Sequence, residues 1–270
     1  FDYADGMYKA NVLGFMPKEF AVHNQDWITA AALRFLDTAA ARPFFLYMPT
    51  TLTHGPSPVK AGLKADPRVT AAGYLDERPD AQPSRKSVLE RVAGADLEQR
   101  KAGVTWLDDA VGAVLDRLDE LGIAENTLVI VASDNGKRGK FSCYDAGARM
   151  PMLMRWPRRI APGSVCRELT SNIDFAPTFY DLCGIEPPKD AVIDGRSLRP
   201  LLTGDGAYER PSLYLEIGST RAVVSSENYK YVAVRFPPEI EEKIEQGARY
   251  THWALPMDKA HHTYNNEKHY

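Results

Sequence analysis

Two short stretches of this 270-residue chain carry side chains that could do hydrolytic chemistry. Pro49-Thr50-Thr51-Leu52-Thr53-His54-Gly55-Pro56 includes an imidazole, and Ser133-Asp134-Asn135-Gly136 sets a carboxylate beside a carboxamide. Adjacent oxygen donors of this kind suit a hard cation such as calcium. A histidine with an ordinary pKa of about 6.5 can give or take a proton near neutral pH. Each piece alone also has a plainer reading. Asp-Asn-Gly is a common turn, a lone histidine is often a surface or hydrogen-bonded residue, and Lys140 and Arg149 would ordinarily be solvated loop charges.

The elements around them give these residues a place. Phe44-Phe45-Leu46-Tyr47-Met48 is a continuous apolar run, the pattern of a strand buried on both faces, and it leads to His54. Thr127–Ala132 is a second such run and leads to Ser133. In open α/β sheets ligands gather at the carboxyl ends of strands. Asn24 is placed to cap a helix through Trp27, Ala31 and Phe35 towards Ala41, with Pro43 ending it. Val104, Leu107, Val111, Val114, Leu115, Leu118 and Leu121 form one helical face, and Gly122 suits its C-terminal cap. Strand, helix, strand in this order predicts a parallel sheet with crossover helices. Residues 55–95, rich in Pro, Gly, Asp and Arg, read as a long excursion. Met152–Trp156 is a further strand, and Asp174 could cap a helix through Leu182 closed by Gly184.

After Gly204 the texture changes. Leu213–Ile217, Arg221–Val224 and Tyr229–Val234 are short strands separated by turns, one marked by Asn228, which predicts an antiparallel meander. The expected organisation is a catalytic α/β domain over residues 1–205 and the start of an antiparallel subdomain over 206–270. Residues from Pro237 onward are polar and aromatic and carry no clear pattern.

Hydrophobic residues make up 44% and charged residues 26%, as in a soluble globular protein. A net charge of -3 with interspersed signs leaves no basic footprint for nucleic acid. No apolar run reaches the roughly 18 residues of a membrane span. Cys143, Cys166 and Cys183 form no CxxC pair, so a structural zinc site is not expected, and their odd number argues against a disulfide framework.

Taken in order, the motifs resemble those of the sulfatase family within the alkaline-phosphatase superfamily. The apolar strand is followed by His54-Gly55-Pro56, where the family has His-x-Pro. Leu107-Asp108-Asp109-Ala110-Val111-Gly112 is similar to the Leu-Asp-x-x-Val-Gly helix. Ser133–Gly136, Gly139-Lys140, Tyr144–Pro151 and Arg155-Trp156-Pro157 follow as they do in the family, with Asp145-Ala146 where Glu-Gly is usual. Asp174 to Gly184 resembles Asp-x-x-Pro-Thr-x-x-x-Leu-x-Gly, and Asp194-Gly195-Arg196-Ser197-Leu198 resembles Asp-Gly-x-Ser-Leu. The similarity runs from about residue 25 to 205.

The resemblance implies an α/β fold, a mostly parallel sheet flanked by helices, alkaline-phosphatase-like but incomplete, with a small antiparallel α+β subdomain. It implies hydrolysis of a sulfate ester on a sulfated small molecule or carbohydrate. Asp134 and Asn135 would be calcium ligands, His54 and Lys140 would contact sulfate and protonate the leaving oxygen, and Arg149 would hold its loop in place. The family's two Asp metal ligands and its Cys-x-Pro-x-Arg motif, whose Cys becomes formylglycine, are expected before Phe1. Ala81-Gln82-Pro83-Ser84-Arg85 mimics that motif with Ala in the Cys position, but it lies after His54 in the wrong order and is read as coincidence. Phosphatases and phosphodiesterases of the superfamily usually carry Asp-His where this chain has Asp134-Asn135, because His suits a second transition metal. A phosphoester or phosphonate hydrolase, and an inactive remnant, are the alternatives.

Overall fold

The computed structural model describes residues 2–8, 17–54, 56–98, 101–136 and 142–250. The chain divides into two compact units, Phe1–Thr127 and Leu128–Tyr270.

The first unit is built mainly of helices. Helix α1 spans Gln25–Ala39, and the Asn24 side chain accepts from the Trp27 N–H at its start. Such a cap contributes about 1 kcal/mol. Its inner face buries Trp27, Ile28, Ala31, Ala32, Leu36 and Ala39. Residues 55–95, expected as a loop, instead form helix α2 over Pro56–Lys64, a small antiparallel hairpin of β1 (Val69–Thr70) and β2 (Gly73–Tyr74), and helix α3 over Arg85–Gly94. The elements are short, and α3 buries only Arg85, Val88 and Val92, so its apolar signal is two residues one turn apart. Helix α4, Ala102–Glu120, packs against α1, α2 and α3. Leu52, Val59, Leu63, Val88, Val92, Ala102 and the fully buried Trp106 make the shared core. Val104, expected on the buried face of α4, is 55% exposed. Gly122 takes φ +69, its N–H reaches the Asp119 carbonyl and the next N–H, of Ile123, reaches that of Leu118. That pair of bonds is a Schellman ending, and its left-handed position favours glycine.

The run Phe44–Met48 joins no ladder among the described residues. Phe45 is 58% and Tyr47 67% exposed, while Phe44, Leu46 and Met48, which alternate with them, are half-buried. An apolar run becomes a buried strand only with neighbours on both edges, which the described residues do not provide.

In the second unit, β3 (Val129–Ala132) pairs antiparallel with β4 (Met152–Arg155), Ile130 opposite Met154 and Val131 opposite Leu153. Between them lies a short helix, α5, Asp145–Ala148. The ladders of the described residues are all antiparallel, so the parallel pairing expected of β3 is not among them. Helix α6 spans Phe175–Cys183, follows a 3-10 turn at Asn172–Asp174 and ends at Gly184. Helix α7, Arg199–Thr203, follows the Asp194–Leu198 segment. The expected meander is present: β5 (Ser212–Ile217), β6 (Thr220–Ser225) and β7 (Lys230–Val234) run antiparallel in that order, with Asn228 at φ +65 in the second turn. Leu213, Thr220 and Ala222 are buried on one face, and Tyr214, Val223 and Tyr231 lie in one exposed row on the other. Helix α8, Pro238–Glu245, follows the meander.

Candidate functional site

His54 stands on a turn gripped by residues at and just before the start of α1. The turn closes by the His54 N–H bonding the Thr51 carbonyl at 3.1 Å. Leu52 is buried in the core and anchors it from below. Thr50 Oγ1 donates to Gln25 Oε1 at 2.6 Å and accepts from the Leu52 N–H. His23, 1% exposed, lies 2.7 Å from Thr51 Oγ1 through Nδ1 and 2.9 Å from the His54 carbonyl through Nε2. The carbonyl can only accept, so Nε2 carries the proton and the Thr51 hydroxyl donates to Nδ1. Burial holds the His23 pKa below its ordinary value, against the carbonyl bond that raises it, and the nearby His54 lowers it further. The His54 side chain itself is exposed.

Below this turn sits a buried polar knot. Arg85 donates to Asp26 Oδ2 at 2.6 Å, to the Gly62 carbonyl at 2.7 Å, to the Ala65 carbonyl at 3.0 Å and to Asn24 Oδ1 at 2.9 Å. Its guanidinium lies 4.9 Å from the Trp106 ring centroid, and the indole N–H donates to Asp26 Oδ1 at 2.9 Å. The Arg of Ala81–Arg85 is therefore engaged inside the fold, and Ser84 caps α3 by accepting from the Ser87 N–H.

The second group of site residues belongs to the second unit. Asp134 and Asn135 follow β3 directly, and Asn135 Nδ2 donates to Asp134 Oδ2 at 2.5 Å. Ser133 Oγ donates to the Asn135 carbonyl at 2.9 Å, and the Ser133 N–H extends the β3–β4 ladder to Pro151. Gly136 donates its N–H to the Gly147 carbonyl at 2.9 Å, and a Cβ on Gly136 would overlap the Ala146 carbonyl oxygen. The glycine is thus required by the close approach of α5. Helix α5 is held in turn: Asp145 pairs with Lys230 of β7 at 2.7 Å, and the buried Cys143 thiol faces the Thr220 carbonyl of β6. Lys230 has no signature in the sequence because nothing local links it to a residue 85 positions away. Asp134 is exposed, Asn135 is half-buried and Arg149 is exposed, its N–H bonded to the Asp145 carbonyl. Lys140 lies outside the described residues.

Two further motifs fold against each other. Asp174 is completely buried and accepts from the Ser171 N–H, the Arg196 N–H and the Arg210 side chain. Thr178 Oγ1 accepts from the Leu198 N–H at 2.8 Å, and Ser197 donates to Asp181 at 2.6 Å. The Asp174–Gly184 and Asp194–Leu198 segments therefore lock to each other through saturated hydrogen bonds.

Asp134 and Asn135 are neighbours in the chain, joined in the structure by the Asn135 amide N–H donating to Asp134. No group of three or more potential metal-ligating His, Cys, Asp or Glu side chains occurs among the described residues. No described helix is long and apolar enough to cross a membrane.

The family model "Sulfatase" matches residues 9–185, and "N-sulphoglucosamine sulphohydrolase, C-terminal" matches residues 136–244. Steryl-sulfatase of Rattus norvegicus is 37% identical over 191 residues, covering 61% of this chain and 32% of that protein. N-acetylgalactosamine-6-sulfatase of Mus musculus is 33% identical over 221 residues, covering 75% of this chain and 37% of that protein. A solved Bacteroides thetaiotaomicron sulfatase, described with the metabolism of multiple glycosaminoglycans, aligns with a TM-score of 0.59 at 26% identity, over 86% of this chain and 45% of that one. The solved Ps i-CgsB, at 22% identity and a TM-score of 0.55, shares the fold. This chain thus spans about a third of the length of the curated relatives just described. The helices and small antiparallel sheets are compatible with part of the alkaline-phosphatase-like α/β fold of these neighbours. By motif order, by family match and by fold, the chain belongs to the sulfatase family.

Proposed function

We propose that these residues form part of a calcium-dependent sulfuric ester hydrolase acting on a sulfated small molecule or carbohydrate. The observation that carries this reading is the turn after β3, where Asp134 and Asn135 stand side by side, fixed by Ser133 and by the seating of Gly136 against α5. A carboxylate and a carboxamide oxygen are the donor chemistry a hard cation takes, and two donors are fewer than the about six to eight calcium uses. The remaining ligands are assigned to the acidic pair that the family resemblance expects before Phe1. When bound, such an ion would offset charge on the sulfuryl oxygens, and stabilisation of that kind usually contributes more to catalysis than any other single effect. His54 and Lys140 would contact the sulfate, and His54 would give the leaving oxygen its proton, a contribution of about 10²–10⁴-fold. Asn135 supports a sulfatase over a phosphoesterase, since it offers no imidazole to a second transition metal.

The nucleophile is assigned to residues outside these 270, because Cys143, Cys166 and Cys183 all lack Pro and Arg at the Cys-x-Pro-x-Arg offsets. The 270 residues alone should therefore show no turnover of an aryl sulfate. In the protein that carries them, Asp134→Ala should abolish calcium binding and sulfatase activity together. Unchanged calcium affinity by calorimetry would reduce Asp134 to a turn residue and remove the reading.

A further inference from the structure

We propose that His23 is a positioning residue for His54, acting from within the fold to fix the backbone that presents the exposed imidazole. The inference rests on the reading of His54 as proton donor. His23 lies in none of the recognised motifs, and it is 1% exposed, so it acts through the turn and not on substrate. Its ring spans both ends of that turn. Nε2 donates to the carbonyl of His54 itself, and Nδ1 accepts from the hydroxyl of Thr51, three residues earlier. The turn's own bond, from the His54 N–H to the Thr51 carbonyl, lies between these two anchors. A neutral imidazole is suited to this task because it offers a donor and an acceptor from one rigid ring. The neighbouring residues reinforce the grip, with Gln25 on Thr50 and Asn24 and Asp26 on Arg85. The first turn of α1 and the residues leading into it are thus one frame holding the residues that carry His54. A proton donor displaced by about 1 Å can cost on the order of 10²-fold in rate, so a buried residue fixing its backbone has leverage on the chemical step.

Three substitutions separate the two contacts. Glutamine places its amide N–H where Nε2 stands and keeps the donor to the His54 carbonyl. Asparagine reaches only as far as Nδ1 and keeps the contact to Thr51. Leucine keeps neither. In the protein that carries these residues, His23→Asn and His23→Leu should lower kcat on sulfate esters of poor leaving groups about tenfold, with little change in KM, and should speed hydrogen exchange at the His54 amide. His23→Gln should fall by less and keep the amide protected. Equal kcat and equal His54 exchange in the Gln and Asn variants would overturn the proposal, and that comparison holds even if the Leu variant does not fold. If His54→Ala leaves the leaving-group dependence of kcat unchanged while His23→Asn still frees the His54 amide, the acid role of His54 fails and the positioning stands.

Discussion

Arg85→Ala tests whether the buried knot under the His54 turn holds the first unit together. Arg85 is 5% exposed and Asp26 6%, and their 2.6 Å contact is buried. Removing the guanidinium takes a donor from four groups at once: the Asp26 carboxylate, left with only the Trp106 N–H from this knot, the Ala65 carbonyl, the Gly62 carbonyl, which keeps the Ala65 N–H, and Asn24 Oδ1, which keeps the Trp27 N–H. Breaking a buried ion pair from one side costs about 3–5 kcal/mol. Loss of the guanidinium over Trp106 adds about 0.5–2 kcal/mol. Water entering the new cavity would recover part of this, so the net expectation is about 4 kcal/mol, close to the whole stability of a marginal domain. With a urea slope of about 2 kcal/mol/M the unfolding midpoint should fall by about 2 M. Asp26→Asn combined with Arg85→Met should lose less than the two single changes summed, because neither partner is then left as an unpaired charge. A loss under about 1 kcal/mol for Arg85→Ala in urea unfolding followed by tryptophan fluorescence would refute the reasoning.

Gly136→Ala should weaken calcium binding and cost about 1–3 kcal/mol, since the added methyl meets the Ala146 carbonyl and one of the two segments must shift; an unchanged calorimetric calcium titration would count against the placement of Asp134 by α5. His23 should make the first unit acid-sensitive: its folded pKa is depressed by burial, so stability is full above the unfolded value of about 6.5 and is lost as pH falls from there towards the folded pKa. Urea midpoints of wild type and His23→Gln between pH 7 and about pH 5 should converge as the pH falls, and parallel curves would remove His23 as the cause. His54→Ala should lower kcat/KM more on aryl sulfates of poor leaving groups than on those of good ones, and Lys140→Ala should depend less on the leaving group, because an ordinary lysine holds its proton too tightly to be the main donor; a His54→Ala slope identical to wild type would leave His54 as a sulfate contact only.

Local signals were legible in the sequence and long-range ones were not. Asn24 before an amphipathic run and Gly122 after one are read from neighbours in the chain, and α1 and α4 form where those signals place them. The meander was legible for the same reason, with alternation along each strand and Asn228 in a turn. Phe44–Met48 has the composition of a buried strand, but hydrophobicity cannot supply the neighbour that completes a ladder. Helix α3 was invisible because its buried face is Arg85, Val88 and Val92, and the burial of an arginine follows from Asp26, 59 residues earlier. Asp134 and Asn135 are neighbours in the chain, so their pairing needed no long-range information. His23 and Lys230, which fix the two site segments, meet their partners 31 and 85 residues away and have no local signature.

The recurring acidic motifs separate by whether their hydrogen-bonding capacity is used up. Asp174 is completely buried, and both of its oxygens are taken by backbone N–H groups and the Arg210 guanidinium. Asp26 is likewise shared between Arg85 and Trp106. A buried carboxylate must be satisfied in this way or it would destabilise the fold, so these two aspartates are explained completely by structure. Asp134 differs: it is exposed, at the end of a strand, and among the described residues its hydrogen bond is to the adjacent Asn135. The surrounding bonds, from Ser133 to Asn135 and from Gly136 to α5, fix the backbone, and none of them uses the Asp134 carboxylate. His54 follows the same rule, its carbonyl and N–H committed to the turn and its imidazole exposed. Backbone held tightly while side-chain valence stays open is what a binding site requires and what a packing motif does not, and by that distinction Asp26, Arg85 and Asp174 belong to the architecture.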